Sequence, residues 1–456
     1  MTSTKPIASA RVDLPSGPPI EAALRVLNRL RTSGYDAVLV GGCVRDLWLD
    51  LPPKDYDVAT NATPSEVLGL FDRVVQVGVS FGVVRVLISI EGELQEIEVA
   101  TFRNDGPYMD GRHPEAVQFT NVIEDVQRRD FTLNGLVLTP SKDGRSGEII
   151  DYVGGLDDLQ KRTLRAIGDA QERFDEDALR LLRAVRFAAR FDLTIEPMTA
   201  AALTSRKQHL DAVSKERIQM ELLAMLRPAY AAHAVELLAT HGLHEALWPS
   251  LQIADPELTH TQMRMSKLCE ALSEACPSDC GFPAQRDLDP ALACASFFES
   301  LRSPGEPLPA SIRASLRLSN AQGRALHAIA AIKDELDAFA ERKVSLRPAQ
   351  PELVRCLRRP YADAALCLAI SAHLDGRDEQ IAWLQDARRV RAEAHIEDWS
   401  PTRLVTGTSL QQLGFEPGPR FRAALWAAEA LQLQGQSAQQ CLQAAIDVFE
   451  APVDHA

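Results

Sequence analysis

The sequence predicts a mixed α/β domain followed by a long, all-helical extension. Short β-branched runs bounded by Gly, Asn, Asp and Pro occur between residues 37 and 150, for example Val83–Ile90. This pattern is typical of strands. After Asp151 the strand pattern disappears, and apolar residues recur at helical spacing over Ala178–Phe191 and Lys215–Leu226.

The α/β part contains several predicted strands separated in places by short helical patterns. The predicted strands are Ala37–Val40, Val83–Ile90, Glu96–Phe102 and Leu136–Leu138. A short helix is predicted from Pro64 to Phe71. In the helical part, a stretch containing Pro, Ser and Cys over residues 273–309 predicts a loop or an interdomain linker.

The composition is that of a globular protein. The chain has 456 residues, of which 46% are hydrophobic and 25% charged, and no stretch approaches the ~18 apolar residues of a membrane span. Residues 1–19 lack the apolar core of a signal peptide, so we expect a floppy N-terminal tail and a cytoplasmic protein. A net charge of −14 argues against a nucleic-acid coat held mainly by phosphate charge, but it does not exclude an enzyme with local basic grooves.

A glycine pair follows the first of these strands and indicates a phosphate site. Gly41 and Gly42 stand where the strand turns into a helix. Two glycines let the backbone approach a phosphate closely, and the free N–H groups of a helix N-terminus favour an anion. Arg45, one turn into the helix, is placed to clamp the same phosphates.

A pair of aspartates follows the glycines. Asp55 and Asp57 are separated by one residue, so on a strand their carboxylates share one face. Two such carboxylates repel each other unless a cation lies between them, which favours a divalent metal that also binds a nucleoside triphosphate. Glu98, on a predicted neighbouring strand, is the candidate third carboxylate. The alternatives are a solvated turn for the aspartates and a solvated strand face for Glu98.

Charged residues also form a regular seam on the predicted helix after residue 178. Asp177, Arg180, Arg183 and Arg186 recur at near-turn spacing, and apolar residues flank them on both sides, Phe187 among them. Carboxylates accept from exocyclic amines and arginines donate to ring nitrogens and carbonyls, so the seam suits recognition of a cytosine or adenine edge. The alternative is a helix decorated with i,i+3 ion pairs.

Two further features of the sequence, a charged run and a group of cysteines, are weak indicators of function when taken alone. The run Arg128–Arg129–Asp130 before Phe131 is typical of a loop or helix start with surface ion pairs. Four cysteines bunch together, but their spacing is not that of a Cys-x-x-Cys pair, and whether they bind metal stays open. These cysteines are Cys269, Cys276, Cys280 and Cys294. Disulfides are not expected.

Taken together, the motifs resemble the family of class II CCA-adding tRNA nucleotidyltransferases and bacterial poly(A) polymerases, within the nucleotidyltransferase superfamily. The resemblance covers residues 37–226. It is carried by six ordered motifs: Gly41–Gly42 with Arg45–Asp46, Asp55-x-Asp57, Glu98–Arg103, Arg128–Thr132, Asp151–Gly155, and Glu176–Asp177-x-x-Arg180 with Arg183 and Arg186.

The resemblance implies a domain order and a set of site residues. It implies an α/β nucleotidyltransferase head at 20–150, then a helical neck at 151–226, body at 227–395 and tRNA-binding tail at 396–456. Asp55 and Asp57 would bind catalytic Mg²⁺, with Glu98 as a third ligand, and Asp130 would be catalytic. The nucleotide-binding positions would be Gly42, Arg45, Arg129, Asp177, Arg180, Arg183 and Arg186. Asp177 and Arg180 would act as a protein template for CTP or ATP.

The implied reaction is attack by an RNA 3′-hydroxyl on an α-phosphate, with release of pyrophosphate. The implied partners are tRNA, ATP and CTP, without membrane or DNA. Residues 103–114 resemble the flexible loop of enzymes that switch from C to A addition, and residues 404–410 and 414–419 resemble a CCA-adding tail. Arginines near 355–359 and 388–391 would be either tRNA contacts or solvated faces.

Four alternatives stay open at the sequence level. Two of them lie within the family: a poly(A) polymerase acting on RNA 3′ ends, and a tRNA nucleotidyltransferase that adds only A. The third is a catalytically dead tRNA-binding protein, which would not need to keep the like charges of Asp55 and Asp57 together. The fourth is a small-molecule nucleotidyltransferase, which would lack the arginine seam and the helical extension.

Overall fold

The structure is a computed structural model whose described part falls into two compact units. The first unit lies within residues 1–225 and 236–252, and the second within 226–235 and 253–456. The described residues are 5–78, 82–105, 117–225, 230–247, 320–346, 350–372, 378–394 and 399–451. The predicted linker at 273–309, the cysteines at 269–294 and most of the loop at 103–114 lie outside these residues.

The first unit is built on an eight-stranded mixed sheet. Its strands are β1 (Ala8–Asp13), β2 (Ala37–Val40), β3 (Asp57–Thr60), β4 (Val74–Gly78), β5 (Val83–Ile90), β6 (Glu93–Thr101), β9 (Leu136–Pro140) and β10 (Ser146–Asp151). Their order is β1-β10-β9-β2-β3-β6-β5-β4. Only the β3–β6 pair of this sheet is parallel. The predicted mixed α/β head is therefore confirmed.

Two two-stranded sheets complete the described β-structure. They are formed by β7 (Arg103–Asp105) with β8 (Val117–Phe119), and by β11 (Thr163–Leu164) with β12 (Thr194–Ile195). The second pair lies after Asp151, where the sequence predicted no strand. Strands of two residues are too short to show an alternating pattern.

The prediction of a floppy N-terminal tail is wrong. Strand β1 pairs antiparallel with β10, with Ala8 opposite Asp151 and Asp13 opposite Ser146. It is an edge strand whose side chains are exposed or half-buried, so it carries no core-facing run of apolar residues. The predicted head boundary at residue 20 leaves out this strand.

Helices follow or separate the strands up to residue 247. They are α1 (Pro18–Thr32), α2 (Gly42–Trp48), α3 (Pro64–Leu70), α4 (Val122–Gln127), α5 (Gly155–Gln160), α6 (Ala170–Glu176), α7 (Leu179–Phe191), α8 (Pro197–Arg206), α9 (Lys215–Met225), α10 (Ala231–Thr240) and α11 (Leu243–Leu247). Helix α1 buries one apolar face, including Val26, Leu27 and Leu30, against β3, β5 and β6. The helices predicted from Pro64, Ala178 and Lys215 correspond to α3, α7 and α9.

The described segments of the second unit after residue 319 are helical, as predicted. Their helices are α12 (Asn320–Glu341), α13 (Pro351–Leu357), α14 (Ala362–Ala372), α15 (Asp378–Glu393), α16 (Gly407–Gln412), α17 (Pro419–Leu433) and α18 (Ala438–Glu450). One core gathers Ile329, Leu336 and Leu366, and a separate core gathers Leu410 and Cys441. No helix in the described segments is long and apolar enough to cross a membrane.

The arginine clusters of the second unit are largely engaged within the protein. Arg391 is only 1% exposed, donates to the Leu357 carbonyl over 2.8 Å and is ion-paired with Asp363. Arg358 and Arg359 pair with Glu429 and Glu335, respectively. A solvated face or an RNA contact is therefore the wrong interpretation for Arg391, whose charge is buried.

Asp151 holds the turn that connects β10 to α5. Its carboxylate is fully buried and accepts from the backbone N–H groups of Val153, Gly154 and Leu156, each over 2.9 Å. Gly154 has φ +87°, and a Cβ on Gly155 would lie 2.2 Å from the Thr132 carbonyl oxygen. The Asp-x-x-Gly-Gly pattern is thus needed for the turn itself.

We expect Asp151→Ala to lower the free energy of unfolding by roughly 3 kcal/mol, because it leaves one buried and two part-buried N–H groups without their acceptor. Asp157→Ala is the matched control. That side chain is 62% exposed and pairs with Lys161, which is also exposed, so a change of less than about 0.5 kcal/mol is expected. Urea unfolding of both variants checks this, and equal losses would contradict the role given to Asp151.

Candidate active site

Three neighbouring strands inside the sheet, β2, β3 and β6, bring the predicted acidic residues together. Val40, the last residue of β2, is paired with Asp57, the first residue of β3, so the glycine turn and the aspartates are adjacent. Strand β6 runs parallel to β3, with Val99 opposite Val58. This register places Glu98 beside Asp57.

A cavity of about 640 Å³ lies beside these residues, within the first unit. All eleven residues singled out from the sequence line it, although they come from segments up to 144 positions apart (42 to 186). Its acidic lining consists of Asp55, Asp57, Glu98, Asp130 and Asp177. Its basic lining consists of Arg45, Arg103, Arg128, Arg129, Arg180, Arg183, Arg186 and Arg190. Arginine side chains are well suited to bind phosphate oxygens, so this lining is compatible with a phosphorylated ligand.

The carboxylates on these strands repel one another. Burial, together with the negative charges of Glu98 and Asp55, raises the pKa of Asp57 to about 7, while Arg129 opposes the shift. A bound cation would relieve this repulsion. Within the described residues, no three acidic, His or Cys side chains are grouped closely enough to hold a metal ion by themselves. A divalent cation bound here would need oxygen ligands in addition to these side chains.

The glycine turn lies against an arginine. Gly41 has φ +74°, which favours glycine, and a Cβ there would lie 3.2 Å from Nη1 of Arg129. Arg129 in turn donates to Asp125. A side chain at position 41 would therefore push against the guanidinium that borders the cavity.

The Arg45 guanidinium is held by more contacts within the protein than the sequence suggests. It is buried, donates to Asp46 Oδ1 from Nε (2.9 Å) and Nη2 (2.7 Å), and donates to Asn134 Oδ1 from Nη1 (2.6 Å). Burial lowers its pKa, which the charge of Asp46 partly offsets. Because these contacts engage three of its nitrogens, Arg45 organises the cavity wall as well as lining it.

Asp130 is held by hydrogen bonds on both oxygens. Arg183 donates to Oδ2 from Nε (2.9 Å) and Nη2 (2.6 Å), and Oδ1 accepts from Asn134 Nδ2 (3.0 Å) and the Phe131 backbone N–H (2.8 Å). Against the effect of burial, Arg183 and Asn134 lower the pKa of Asp130 to about 2. A carboxylate this acidic does not accept a proton near neutral pH. The geometry shows that Asp130 holds Arg183 in place, and its catalytic role stays a prediction.

The seam residues find most of their partners outside α7. Asp177 lies just before α7, and its Oδ2 accepts from Arg217 on α9 over 2.8 Å. Arg186 donates to Glu221, also on α9, over 2.6 Å, and Arg183 lies 3.6 Å from the same carboxylate. Arg180 pairs with Glu176 on α6 and donates to the Arg128 carbonyl. A helix decorated with i,i+3 ion pairs does not describe this arrangement.

Several residues that shape the site were not identified from the sequence. Arg217 and Glu221 stand four positions apart on α9, a spacing that in the sequence alone matches a surface ion pair. The apolar residues Leu222 and Met225 could have indicated from the sequence that this part of α9 is buried. Other residues missed as structural partners are Asp46, Asp125, Asn134, Phe187 and Arg190.

Asp130 gives the protein a pH-dependent stability that can be measured. Because its folded-state pKa of about 2 is below the ordinary value of 3.8, the ionised carboxylate stabilises the fold above about pH 4, by about 2 kcal/mol. This contribution is lost as the pH falls through 4 towards 2. We expect the urea midpoints of wild type and Asp130→Asn to differ at pH 6 and to converge as the pH approaches 2. A difference that stays constant with pH would contradict the assignment.

Comparison with known proteins identifies relatives of this fold and site. Residues 37–165 match the family described as Poly A polymerase head domain, and residues 192–254 match the one described as Probable RNA and SrmB- binding site of polymerase A. A CCA-adding enzyme of Geobacillus stearothermophilus is 38% identical over 266 residues, which is 56% of this chain and 64% of the relative. One of Levilactobacillus brevis is 43% identical over 224 residues, which is 49% and 54%. The chain is thus matched over between half and two thirds of these relatives' length.

A solved structure extends the similarity along the chain. The CCA-adding enzyme of Bacillus stearothermophilus in complex with CTP superposes with a TM-score of 0.69 at 27% identity, covering 95% of this chain and 98% of that one. Nucleotidyltransferases of this kind generally use divalent metal ions. Residues 37–165 therefore match a Poly A polymerase head domain, and the chain is similar to CCA-adding enzymes in both sequence and fold.

Proposed function

We propose that this protein adds CMP and AMP to the 3′ end of tRNA, using CTP and ATP and releasing pyrophosphate. The observation that carries the proposal is that Asp55 and Asp57 line the same cavity as the arginine seam of α7. One part of that cavity suits a metal-bound triphosphate, and another suits the edge of a base. The relatives named as CCA-adding enzymes support the choice of product.

Asp55 and Asp57 would hold Mg²⁺ together with oxygens of the triphosphate. When bound, this ion neutralises charge on the phosphates and lowers the pKa of the attacking 3′-hydroxyl. In the reaction, the 3′-oxygen of the RNA forms a bond to the α-phosphorus and the bond to the pyrophosphate oxygen breaks. The arginines that line the cavity bind the triphosphate and hold it in line for attack. Glu98 acts through its charge on Asp57.

Asp177 and Arg180 would select the base. The Asp177 carboxylate accepts one N–H from Leu179 and one from Arg217, which leaves acceptor positions for an exocyclic amine. Cytosine and adenine both carry such an amine, whereas uracil has a carbonyl in its place. Arg180 is fixed by Glu176 and by the carbonyls of Arg173 and Arg128, so its orientation is set before a nucleotide arrives.

The second candidate function is poly(A) polymerase, because the family models matching this chain carry that name. A tRNA nucleotidyltransferase that adds only A uses the same cavity and stays a further possibility. A catalytically inactive tRNA-binding protein is disfavoured because the charges of Asp57, Asp55 and Glu98 repel one another. A protein that binds no cation gains nothing from keeping these charges together. The cytoplasmic location stays a prediction.

Nucleotide incorporation by the purified protein with Mg²⁺ tests the proposal. The substrates are a tRNA transcript without its 3′-terminal CCA, the same tRNA ending in CC, and an unstructured RNA. Each is supplied with ATP alone, CTP alone or both. Addition of two C and one A to tRNA only, followed by arrest, supports CCA addition. A single A placed only on tRNA ending in CC indicates A addition. Long A tails on either RNA would overturn the proposal in favour of a poly(A) polymerase.

A further inference from the structure

Three arginines of the cavity converge on one phenyl ring. The guanidinium carbon of Arg186 lies 4.4 Å from the centroid of the Phe187 ring, that of Arg183 lies 5.1 Å away, and that of Arg45 lies 5.4 Å away. Phe187 lines the cavity and is only 5% exposed. Arg45 lies on α2, whereas Arg183 and Arg186 lie on α7. The Phe187 ring therefore contacts both the arginine beside the glycine turn and two arginines of the seam.

These guanidiniums carry like charges in a confined space, and each has its own carboxylate. Asp46 pairs with Arg45, Asp130 with Arg183, and Glu221 with Arg186. Each carboxylate fixes its arginine from one side. The electron-rich face of an aromatic ring attracts a cation within about 6 Å, most strongly where water is excluded. Phe187 therefore supplies a contact common to all three cations.

A second ring extends the arrangement. Phe191, one turn along α7, is stacked on Phe187 with centroids 6.3 Å apart and planes inclined by 17°. Its ring lies 4.4 Å from the guanidinium carbon of Arg45 and 4.8 Å from that of Arg190. Arg190 in turn lies 3.9 Å from Asp46. Arg45 thus has aromatic rings of two residues as neighbours, and Phe187 remains the ring that links it to the seam.

We propose that Phe187 is a positioning residue for nucleotide binding: its ring orients Arg45, Arg183 and Arg186 towards the cavity through cation–π contacts. The inference rests on the proposed function, since it assumes that these arginines bind CTP and ATP. In the sequence, Phe187 is simply one member of an apolar stripe beside the seam. The structure gives this ring an electrostatic task in addition to packing against Phe131.

Fluorinated phenylalanines separate the two tasks, because fluorine withdraws electron density from the ring while nearly preserving its shape. Mono-, di- and trifluorophenylalanine are placed at position 187 in the full-length protein, and the same series is placed at Phe174. Phe174 is a matched control: it is fully buried, and no arginine contact of its ring is found among the described residues. Melting temperatures are recorded for every protein, together with kcat and KM for CTP and ATP and the KM for tRNA.

We expect KM for CTP and ATP to rise stepwise with fluorination at Phe187, by about tenfold in the trifluoro protein, with a smaller change in kcat. KM for tRNA and all parameters of the Phe174 series should stay near wild type. Phe187→Leu should resemble the trifluoro protein, and Phe187→Tyr, which keeps the ring, should restore most of the affinity.

If the fluorinated Phe187 proteins are active and KM for CTP and ATP does not change along the series, the proposal is overturned and the ring has a packing role only. Equal changes in the Phe187 and Phe174 series would do the same. Failure of the proposed function is a separate result, because unmodified protein would then fail to add both CMP and AMP to the tRNA that lacks CCA, whether it made A tails or incorporated no nucleotide.

Discussion

Asp57→Asn is expected to lower kcat for nucleotide incorporation by about a thousandfold or more, because it removes one of two carboxylates that would hold the metal ion and the triphosphate. The substitution keeps the shape of the side chain. Since Glu98 and Asp55 repel the charge of Asp57, its removal should leave the melting temperature unchanged or slightly raised. Lost activity with retained stability is the signature of a functional, rather than structural, carboxylate pair.

Two glutamates of β6 provide a matched comparison for this result. Glu98 lines the cavity, whereas Glu96, two positions earlier on the same face, is exposed and pairs with Arg85 over 3.5 Å. Glu98→Gln should reduce incorporation by roughly tenfold through its charge on Asp57, and Glu96→Gln should leave it unchanged. Full activity in Asp57→Asn across a range of Mg²⁺ concentrations would contradict the metal assignment, whatever the two glutamine variants do.

The local part of this site could be predicted from sequence because each motif is a short stretch of one element. The turn at Gly41 and Gly42 and the pair Asp55 and Asp57 carry their chemistry within a few residues. Their meeting depends on the pairing of Val40 with Asp57, which neither motif shows by itself. Alternation along β6 likewise places Glu98 on a definite face, but not beside a particular strand.

What the sequence left open depends on contacts between distant segments. Nothing near Asp130 shows that Arg183, 53 positions later, will lower its pKa, and nothing near Asp177 points to Arg217. Strand β1 was missed for a related reason: its pairing with β10 is made by backbone groups, and its exposed side chains give no apolar period. Periodicity reports which face of an element is buried, not which partner covers it.

A second large effect, on the choice of nucleotide, is expected from a substitution of Asp177, the residue proposed to select the base. In Asp177→Asn, the carboxylate that can only accept becomes an amide that can also donate, with little change in size. We expect the preference for CTP over UTP, measured as the ratio of kcat/KM values, to fall by roughly 10- to 100-fold, because the amide can donate to the carbonyl of uracil. Incorporation of UMP into tRNA lacking CCA should become detectable while the melting temperature stays near wild type.

Asp175→Asn is the control, two positions earlier in the chain. Its carboxylate is half-exposed and pairs with Arg206 (2.7 Å) and His209 (3.2 Å) outside the cavity, so its CTP preference should equal that of wild type. Arg217→Met separates recognition from positioning, since it removes the donor to Asp177 Oδ2 without touching the carboxylate. It should weaken the binding of CTP and ATP alike and leave the preference over UTP largely intact. If Asp177→Asn instead lowered the use of all nucleotides equally, this carboxylate would be a structural support of α7, and the choice of base would have to lie with Arg180 and its neighbours.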